Sequence, residues 1–302
     1  MYPTSQEPMT RREAIKTGSC LAAAAVAGCS LNLLLPGCTA QAPDEKTVAT
    51  ILAETQKADP RDLTLTVVYD NLVSDKAMKS DWGFSCVVQG PGQNILFDTG
   101  QFGEILMANL SRAGIAPSSI DDVVISHDHP DHVGGLAAFL ERRPQVRVWL
   151  ISSFGPVFKK LVRRTGAQIV EVDDPAVISR FCLSTGEMKN IKRHEQSLIL
   201  RTQGGSILIT GCAHPGVEKI AARACQLVPD PVLLVMGGFH LMSSLNHRIR
   251  KIAGRFKEMG VKYLAPSHCT GTEAENILAP AYGKRYLASG VGRVIHVREL
   301  MG

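Results

Sequence analysis

The sequence predicts an α/β protein of two similar halves whose sheets pack face to face with helices outside. Three observations predict it. Strand-like runs come first, strand–helix pairs follow, and the same order then repeats. Several apolar strands break directly into loops rich in Gly, His or Cys, where an α/β scaffold places its chemistry. The chain has 302 residues, 45% of them hydrophobic, enough for one large domain or two small ones.

The elements follow in order. Leu63-Thr64-Leu65-Thr66-Val67-Val68-Tyr69 is a β-branched run with strand alternation. Residues 83–88 and 94–98 flank Gln89-Gly90-Pro91-Gly92-Gln93, whose Gly and Pro mark a hairpin turn. Residues 104–113 have helical spacing and stop at Gly114. Residues 120–125 read as a short buried strand and 133–140 as the first turns of a helix, followed by a strand over 146–151. The middle, 153–193, is irregular and predicts one short helix over 157–165 and two short strands. Strands over 197–202 and 206–210 flank Gly204-Gly205, a hairpin signature. Then come a helix over 217–226, a strand over 231–236, a helix over 246–258 and a strand over 262–265. Thr272-Glu273-Ala274-Glu275 has the capping-box form and starts the last helix, and 292–297 is a closing strand.

The charged fraction of 20% is ordinary and the net charge of +5 is mild. No basic block with interleaved aromatics occurs, so nucleic acid is not an expected partner. Beyond the leader the cysteines are Cys86, Cys182, Cys212, Cys225 and Cys269, an odd number at irregular spacing. No disulfide framework is evident, and most are expected to be small buried side chains.

The N-terminus reads as targeting sequence. Thr10-Arg11-Arg12-Glu13-Ala14-Ile15-Lys16 looks like a twin-arginine export signal, followed by an apolar run. Two lipobox-like sites follow, Val26-Ala27-Gly28-Cys29 and Leu35-Pro36-Gly37-Cys38. Cleavage at Cys38 is expected, because cleavage at Cys29 leaves Leu33-Leu34-Leu35 exposed to water. The expected organisation is a signal over 1–37, a tether with a short helix (48–58) over 38–62, and the domain over 63–302. The expected location is periplasmic or cell-surface, with a lipid anchor in the membrane. Replacing both Arg11 and Arg12 with Lys should block export, and fractionation of the expressing cells reads the result.

The densest chemistry lies in Ser126-His127-Asp128-His129-Pro130-Asp131-His132. Its pattern is His-x-His-x-Asp-His on the loop leaving a strand. Imidazole nitrogens and carboxylate oxygens are ligands that zinc, iron and manganese favour. Three further loops have the same character: Thr210-Gly211-Cys212-Ala213-His214-Pro215-Gly216, Gly237-Gly238-Phe239-His240-Leu241 and Pro266-Ser267-His268-Cys269-Thr270-Gly271.

The motif resembles that of the metallo-β-lactamase superfamily, and the resemblance runs from about Leu63 to the C-terminus. It implies a four-layer αββα sandwich, the metallo-β-lactamase fold. The oxygen-reducing diiron branch carries Glu where this chain has His129, so a hydrolase-type site is implied. The three loops, with Val68-Tyr69-Asp70-Asn71, Trp82-Gly83-Phe84-Ser85, Leu96-Phe97-Asp98-Thr99-Gly100 and Glu195-Gln196-Ser197-Leu198, resemble the dihydropterin-ribofuranosylaminobenzene phosphate synthase group within it.

By that resemblance His127, His129 and His214 would bind a first metal, and Asp131, His132 and His268 a second. The implied cofactor is zinc, as one or two ions, with manganese or iron as alternatives. Asp98 would lie behind the ligands and orient the metal loop. The superfamily usually has a bridging aspartate where this chain has Gly211-Cys212. Cys212 either ligates as a thiolate or packs as a small apolar side chain. His240 either meets substrate and donates a proton or satisfies a backbone carbonyl. His194 is not expected to ligate, and His247 and His296 are expected to be structural or solvated.

The leading expectation is an exported hydrolase that uses a metal-bound hydroxide on an ester, lactone, amide or phosphoester of a small molecule, with Asp131 and His240 as catalytic residues. The alternatives are a synthase-like transferase using the same metals and a non-catalytic metal- or ligand-binding lipoprotein.

Overall fold

A computed structural model of the chain describes residues 43–191 and 193–302. The twin-arginine pair Arg11 and Arg12 and the lipobox residues Cys29 and Cys38 lie outside the described residues.

The strands of the first half are β1 (Thr64–Asp70), β2 (Phe84–Gly90), β3 (Gln93–Phe97), β4 (Asp122–Val124), β5 (Arg147–Ile151) and β6 (Gln168–Val172). Those of the second half are β7 (Ala176–Ser179), β8 (Cys182–Ser184), β9 (Leu198–Thr202), β10 (Gly205–Thr210), β11 (Val232–Gly238), β12 (Tyr263–Ser267) and β13 (Val294–His296). One sheet has the order β13-β1-β2-β3-β4-β5-β6 and the other β12-β11-β10-β9-β8-β7. Both are built alike. β1-β2-β3 and β7-β8-β9-β10 are antiparallel, and β3-β4-β5-β6 and β10-β11-β12 are parallel. β13 crosses back to pair antiparallel with β1 in the first sheet.

Side-chain alternation produces four layers, since successive residues of a strand face opposite ways. Cys86 and Val88 of β2, Ile95 and Phe97 of β3, Leu198 and Leu200 of β9, and Ile207 and Ile209 of β10 share one core between the sheets. Their neighbours face outward. Val87, Leu96, Val123 and Val148 pack under helices α2 (Gly103–Arg112), α4 (Leu136–Arg142) and α5 (Pro156–Arg164). Ile199, Leu208 and Val235 pack under α6 (Val217–Leu227), α7 (Asn246–Glu258) and α8 (Thr272–Tyr282). Both faces of each sheet are therefore buried, which is why the central strands read as near-continuous apolar runs.

Four local expectations change. The 130–142 segment is two helices, α3 (Pro130–Val133) and α4, rather than one. Gly134 and Gly135 separate them, and a Cβ there would lie 2.0 Å from Gln101 O and 2.1 Å from Thr99 O. The break lets the motif press against the loop after β3, where Thr99 N and Oγ1 each donate to His132 O at 2.8 Å. The middle segment holds three strands, β6 to β8, where two were expected. β7 and β8 have only four and three residues, too short for alternation to register. Gly271, not Thr272, is the N-cap of α8, with no side-chain cap, so the capping box is not formed. Last, the helix expected over 48–58 within the 38–62 tether lies over 45–54 and is packed against the domain. Helix α1 (Glu45–Glu54) buries Ile51 in the outer core, and Arg201 donates to Thr55 Oγ1 at 2.7 Å and Asp230 Oδ2 at 2.8 Å. Among the described residues no helix is long and apolar enough to cross a membrane.

Candidate metal centre

The site lies at the carboxyl ends of the strands, in the crevice where open α/β sheets bind ligands. Asp98 follows β3. His127 and His129 follow β4, and Asp131 and His132 form the first turn of α3. Cys212 and His214 follow β10, His240 follows β11, and His268 begins the 3₁₀ turn His268–Thr270 after β12. The two halves thus contribute ligand-type residues to one place.

The side chains fall into two adjoining groups, within each of which the donor atoms lie within 4.8 Å of one another. The first is His127, His129 and His214. His127 Nε2 is 3.0 Å from His129 Nδ1, and the His214 ring is 4.6 Å from that of His127. The second is Asp131, His132, Cys212 and His268. Asp131 Oδ2 is 3.2 Å from His268 Nε2 and 3.6 Å from His132 Nε2. Cys212 Sγ is 3.2 Å from His132 Nε2 and 3.4 Å from His268 Nε2. The rings of His127 and His132, 4.2 Å apart, join the groups.

Behind these groups stands a set of acceptors that fixes the rings. Asp98 Oδ2 faces His132 Nδ1 at 2.6 Å, and Asp98 also accepts from Ser126 N and Oγ, both at 2.7 Å. The Ser126 hydroxyl, having donated to Asp98, accepts from His127 Nδ1 at 2.8 Å. Glu195 Oε2 takes His214 Nδ1 at 2.9 Å, and Asn71 Oδ1 takes His268 Nδ1 at 2.9 Å. Four imidazoles therefore present Nδ1 to an acceptor and turn Nε2 toward the centre. This outer shell is how metal-ligating histidines are normally oriented.

Glu195 does more. Its carboxylate accepts from the backbone N–H groups of Cys212, Ala213 and His214 at 2.9, 2.8 and 2.9 Å, shaping the whole loop after β10. Asp98, expected behind the metal loop, contacts Ser126 and His132; no role was expected for Ser126, Glu195 or Asn71. The signal available was that Glu195 and Asn71 belong to segments that resemble the synthase group.

Backbone strain concentrates here. Among the described residues the non-glycine positions with positive φ are Asp98 (56°), Ala213 (63°), His240 (54°) and His268 (49°). All four lie in the site loops. Such conformations cost about 1–3 kcal/mol each and persist where surrounding structure imposes them.

Electrostatics favour ligation. Burial, with the neighbouring His132, His214 and His129, holds His127 well below the ordinary imidazole range and so neutral. Burial and Arg193 lower His129 in the same direction. Burial opposes charge on Asp131, but His268 and His132 outweigh it and keep the carboxylate ionised. His132 differs. Burial pulls it down, yet Asp98 more than compensates and raises it to about 9. Burial also raises Asp98, so the pair as a whole retains a proton.

This pair sets a pH dependence. A cation at His132 Nε2 needs the neutral ring, so the extra proton must leave on binding. Below about pH 9 the second group's apparent affinity should fall about tenfold or more per unit of acidification. Zinc titrations against a competing chelator at pH 7, 8 and 9 read this; equal affinities at 7 and 9 would contradict it. In the cation-stripped chain the sign is opposite. The pair's contribution to stability is complete below the ordinary value of 6.5 and is lost as pH rises through about 9.

The remaining residues sort by place. His240 is exposed, with its ring 4.5 Å from that of His214, at the mouth of the centre. The exposed Trp82 ring is 4.9 Å from the His268 ring, and Arg193 pairs at 2.6 Å with Asp128 of the histidine motif. His194 contacts Glu187 rather than either group. His296 lies 3.2 Å from Thr64 Oγ1 on β13, and His247 lies on α7.

The donor sets fit divalent cations. Three imidazoles make the first group; two imidazoles, a carboxylate and a thiol make the second. A cysteine among them, which would ligate as thiolate, suits zinc or iron rather than magnesium or calcium.

Comparisons with known proteins place the chain in a family. A family model described as the metallo-beta-lactamase superfamily matches residues 83–268, ending on His268. The 7,8-dihydropterin-6-methyl-4-(beta-D-ribofuranosyl)-aminobenzene-5'-phosphate synthase of Methanocaldococcus jannaschii is 25% identical over 264 residues, 72% of this chain and 90% of that protein. The flavo-diiron protein FprA2 of Clostridium acetobutylicum is 34% identical over 125 residues, 40% of this chain and 30% of that protein. A solved structure described as Tm1679, a metal-dependent hydrolase of the beta-lactamase superfamily, superposes with a TM-score of 0.66 at 27% identity. It covers 77% of this chain and 98% of its own.

Proposed function

The chain belongs to the metallo-β-lactamase superfamily, and we propose that it is a metal-dependent hydrolase of a small-molecule ester, lactone, amide or phosphoester. The observation that carries this reading is the pair of adjoining donor groups whose imidazoles are locked from behind. His127, His129 and His214 would hold one cation; Asp131, His132, Cys212 and His268 would hold a second. When bound, the cations would supply Lewis-acid activation of water and of the substrate's reacting oxygen.

The chain's own groups do the rest. Asp131, the carboxylate inside the centre, would hold the second cation and orient the attacking water. His240, exposed beside His214, is placed to donate a proton to the leaving group. Trp82, beside His268, supplies an apolar wall for substrate. The test is a screen of purified, zinc-loaded protein against lactone, phosphodiester and thioester panels. Turnover that disappears in His129→Ala supports the reading. Turnover that survives both His129→Ala and chelation would reject it.

A second reading, a synthase-like transferase, draws on the similarity to the M. jannaschii protein along most of that protein's length. It is distinguished by product: joining of an aromatic amine to an activated ester instead of release of the acid. Export by the twin-arginine segment is a separate proposal, carried by Arg11 and Arg12 alone.

A further inference from the structure

Beside the second group lies a donor set that the proposed hydrolysis only partly uses. Cys212 Sγ, Cys269 Sγ and a ring nitrogen of His240 lie within 4.8 Å of one another. They come from the loops after β10, β11 and β12, three consecutive parallel neighbours in one sheet. Those loops are tied together. Leu241 N donates to Cys269 O at 3.2 Å, Gly238 N donates to Gly211 O at 3.0 Å, and the Cys269 thiol donates to Cys212 O at 3.5 Å. Space for the sulfur is kept by a missing side chain: a Cβ on Gly238 would lie 2.7 Å from Cys269 Sγ. Both sulfurs are buried while His240 is exposed, so the set opens to solvent through the imidazole.

We infer that Cys212, His240 and Cys269 form a third cation site, for a thiophilic divalent ion such as zinc, sharing the Cys212 thiolate with the second group. Two thiolates and an imidazole are a zinc ligand set that leaves one coordination position for water. Binding forms two sulfur–cation bonds and one nitrogen–cation bond, and any proton still held by either thiol leaves to solvent. Because Cys212 already serves the second group, this site fills last and most weakly. The inference rests on Cys212 being a ligand of the second group.

The test is zinc and cobalt titration of the full chain as wild type, Cys269→Ser, Cys269→Ala, His240→Ala and His127→Ala. Bound metal is counted after each addition, and the sulfur-to-cobalt charge-transfer band is followed. The wild type should bind three equivalents, the third at least about tenfold more weakly than the others, within the range by which losing or sharing supporting contacts weakens a metal. The third equivalent should raise the charge-transfer band. Both Cys269 variants and His240→Ala should stop at two equivalents without that rise. His127→Ala should lose a tight equivalent yet keep the weak one. A wild type that saturates at two, with the same band as Cys269→Ser, overturns the third site. So does a Cys212–Cys269 disulfide in the purified protein. If instead His127→Ala changes nothing, the fault lies with the proposed hydrolase centre itself.

Discussion

Replacing Glu195 with alanine should weaken both cation positions at once, although its carboxylate is spent on the loop after β10. It holds the N–H groups of Cys212, Ala213 and His214 and the Nδ1 of His214. His214 belongs to the first group and Cys212 to the second, so one buried residue supports both. Burial works against its charge, but these donors outweigh burial and keep it ionised. Truncation leaves two buried backbone donors and a part-buried one unpaired and frees a strained loop. The expected loss of stability is roughly 3–5 kcal/mol, the range for breaking a buried charged network. Each cation should bind about 10–100-fold more weakly, the usual effect of losing an outer-shell partner. Glu195→Gln keeps one acceptor oxygen in place of two and should fall between. Thermal unfolding and zinc titration read both effects; a variant that weakens neither position would show that the loop holds itself.

Removing Asp98 should instead act on the second group and on its pH dependence. Asp98 is fully buried and holds His132 directly and His127 through the Ser126 hydroxyl. Asp98→Ala should weaken the second cation about 10–100-fold and destabilise the fold by roughly 3–5 kcal/mol. It should also remove the largest cause that raises His132, leaving burial opposed only by the charges of Asp131 and Glu195, so the ring falls from about 9. The slope of zinc affinity between pH 7 and 9 should therefore fall. Asp98→Asn keeps an oxygen for the Ser126 N–H, so it should lose the slope while losing less stability. An unchanged slope in both variants would mean that another group holds the proton.

The candidate ligand residues stand out in the sequence because their chemistry is local. His127, His129, Asp131 and His132 share six positions, and Cys212, His214, His240 and His268 each follow an apolar strand. The layers were legible for a similar reason, since alternation along β2, β3, β9 and β10 sets two buried faces. What was missed depends on long-range packing. Glu195 reaches Cys212 and His214 across the sheet, and Asn71 reaches His268 from the other half, contacts that spacing does not encode. The segment 38–62 reads as a tether because it opens on a polar, linker-like stretch. Its residues 45–55 are fixed by Ile51 and by Arg201, far along the chain. Gly134 and Gly135 interrupt a helical pattern for a reason visible only where Thr99 and Gln101 approach them.

Metal content decides whether His127, His129 and His214 hold one cation and Asp131, His132, Cys212 and His268 another. Protein made without added metal and dialysed against a weak chelator should retain two equivalents by elemental analysis, zinc foremost. His127→Ala should retain one. A folded, dialysed wild-type chain that holds no cation, or a His127→Ala chain that holds as many as the wild type, would contradict this arrangement.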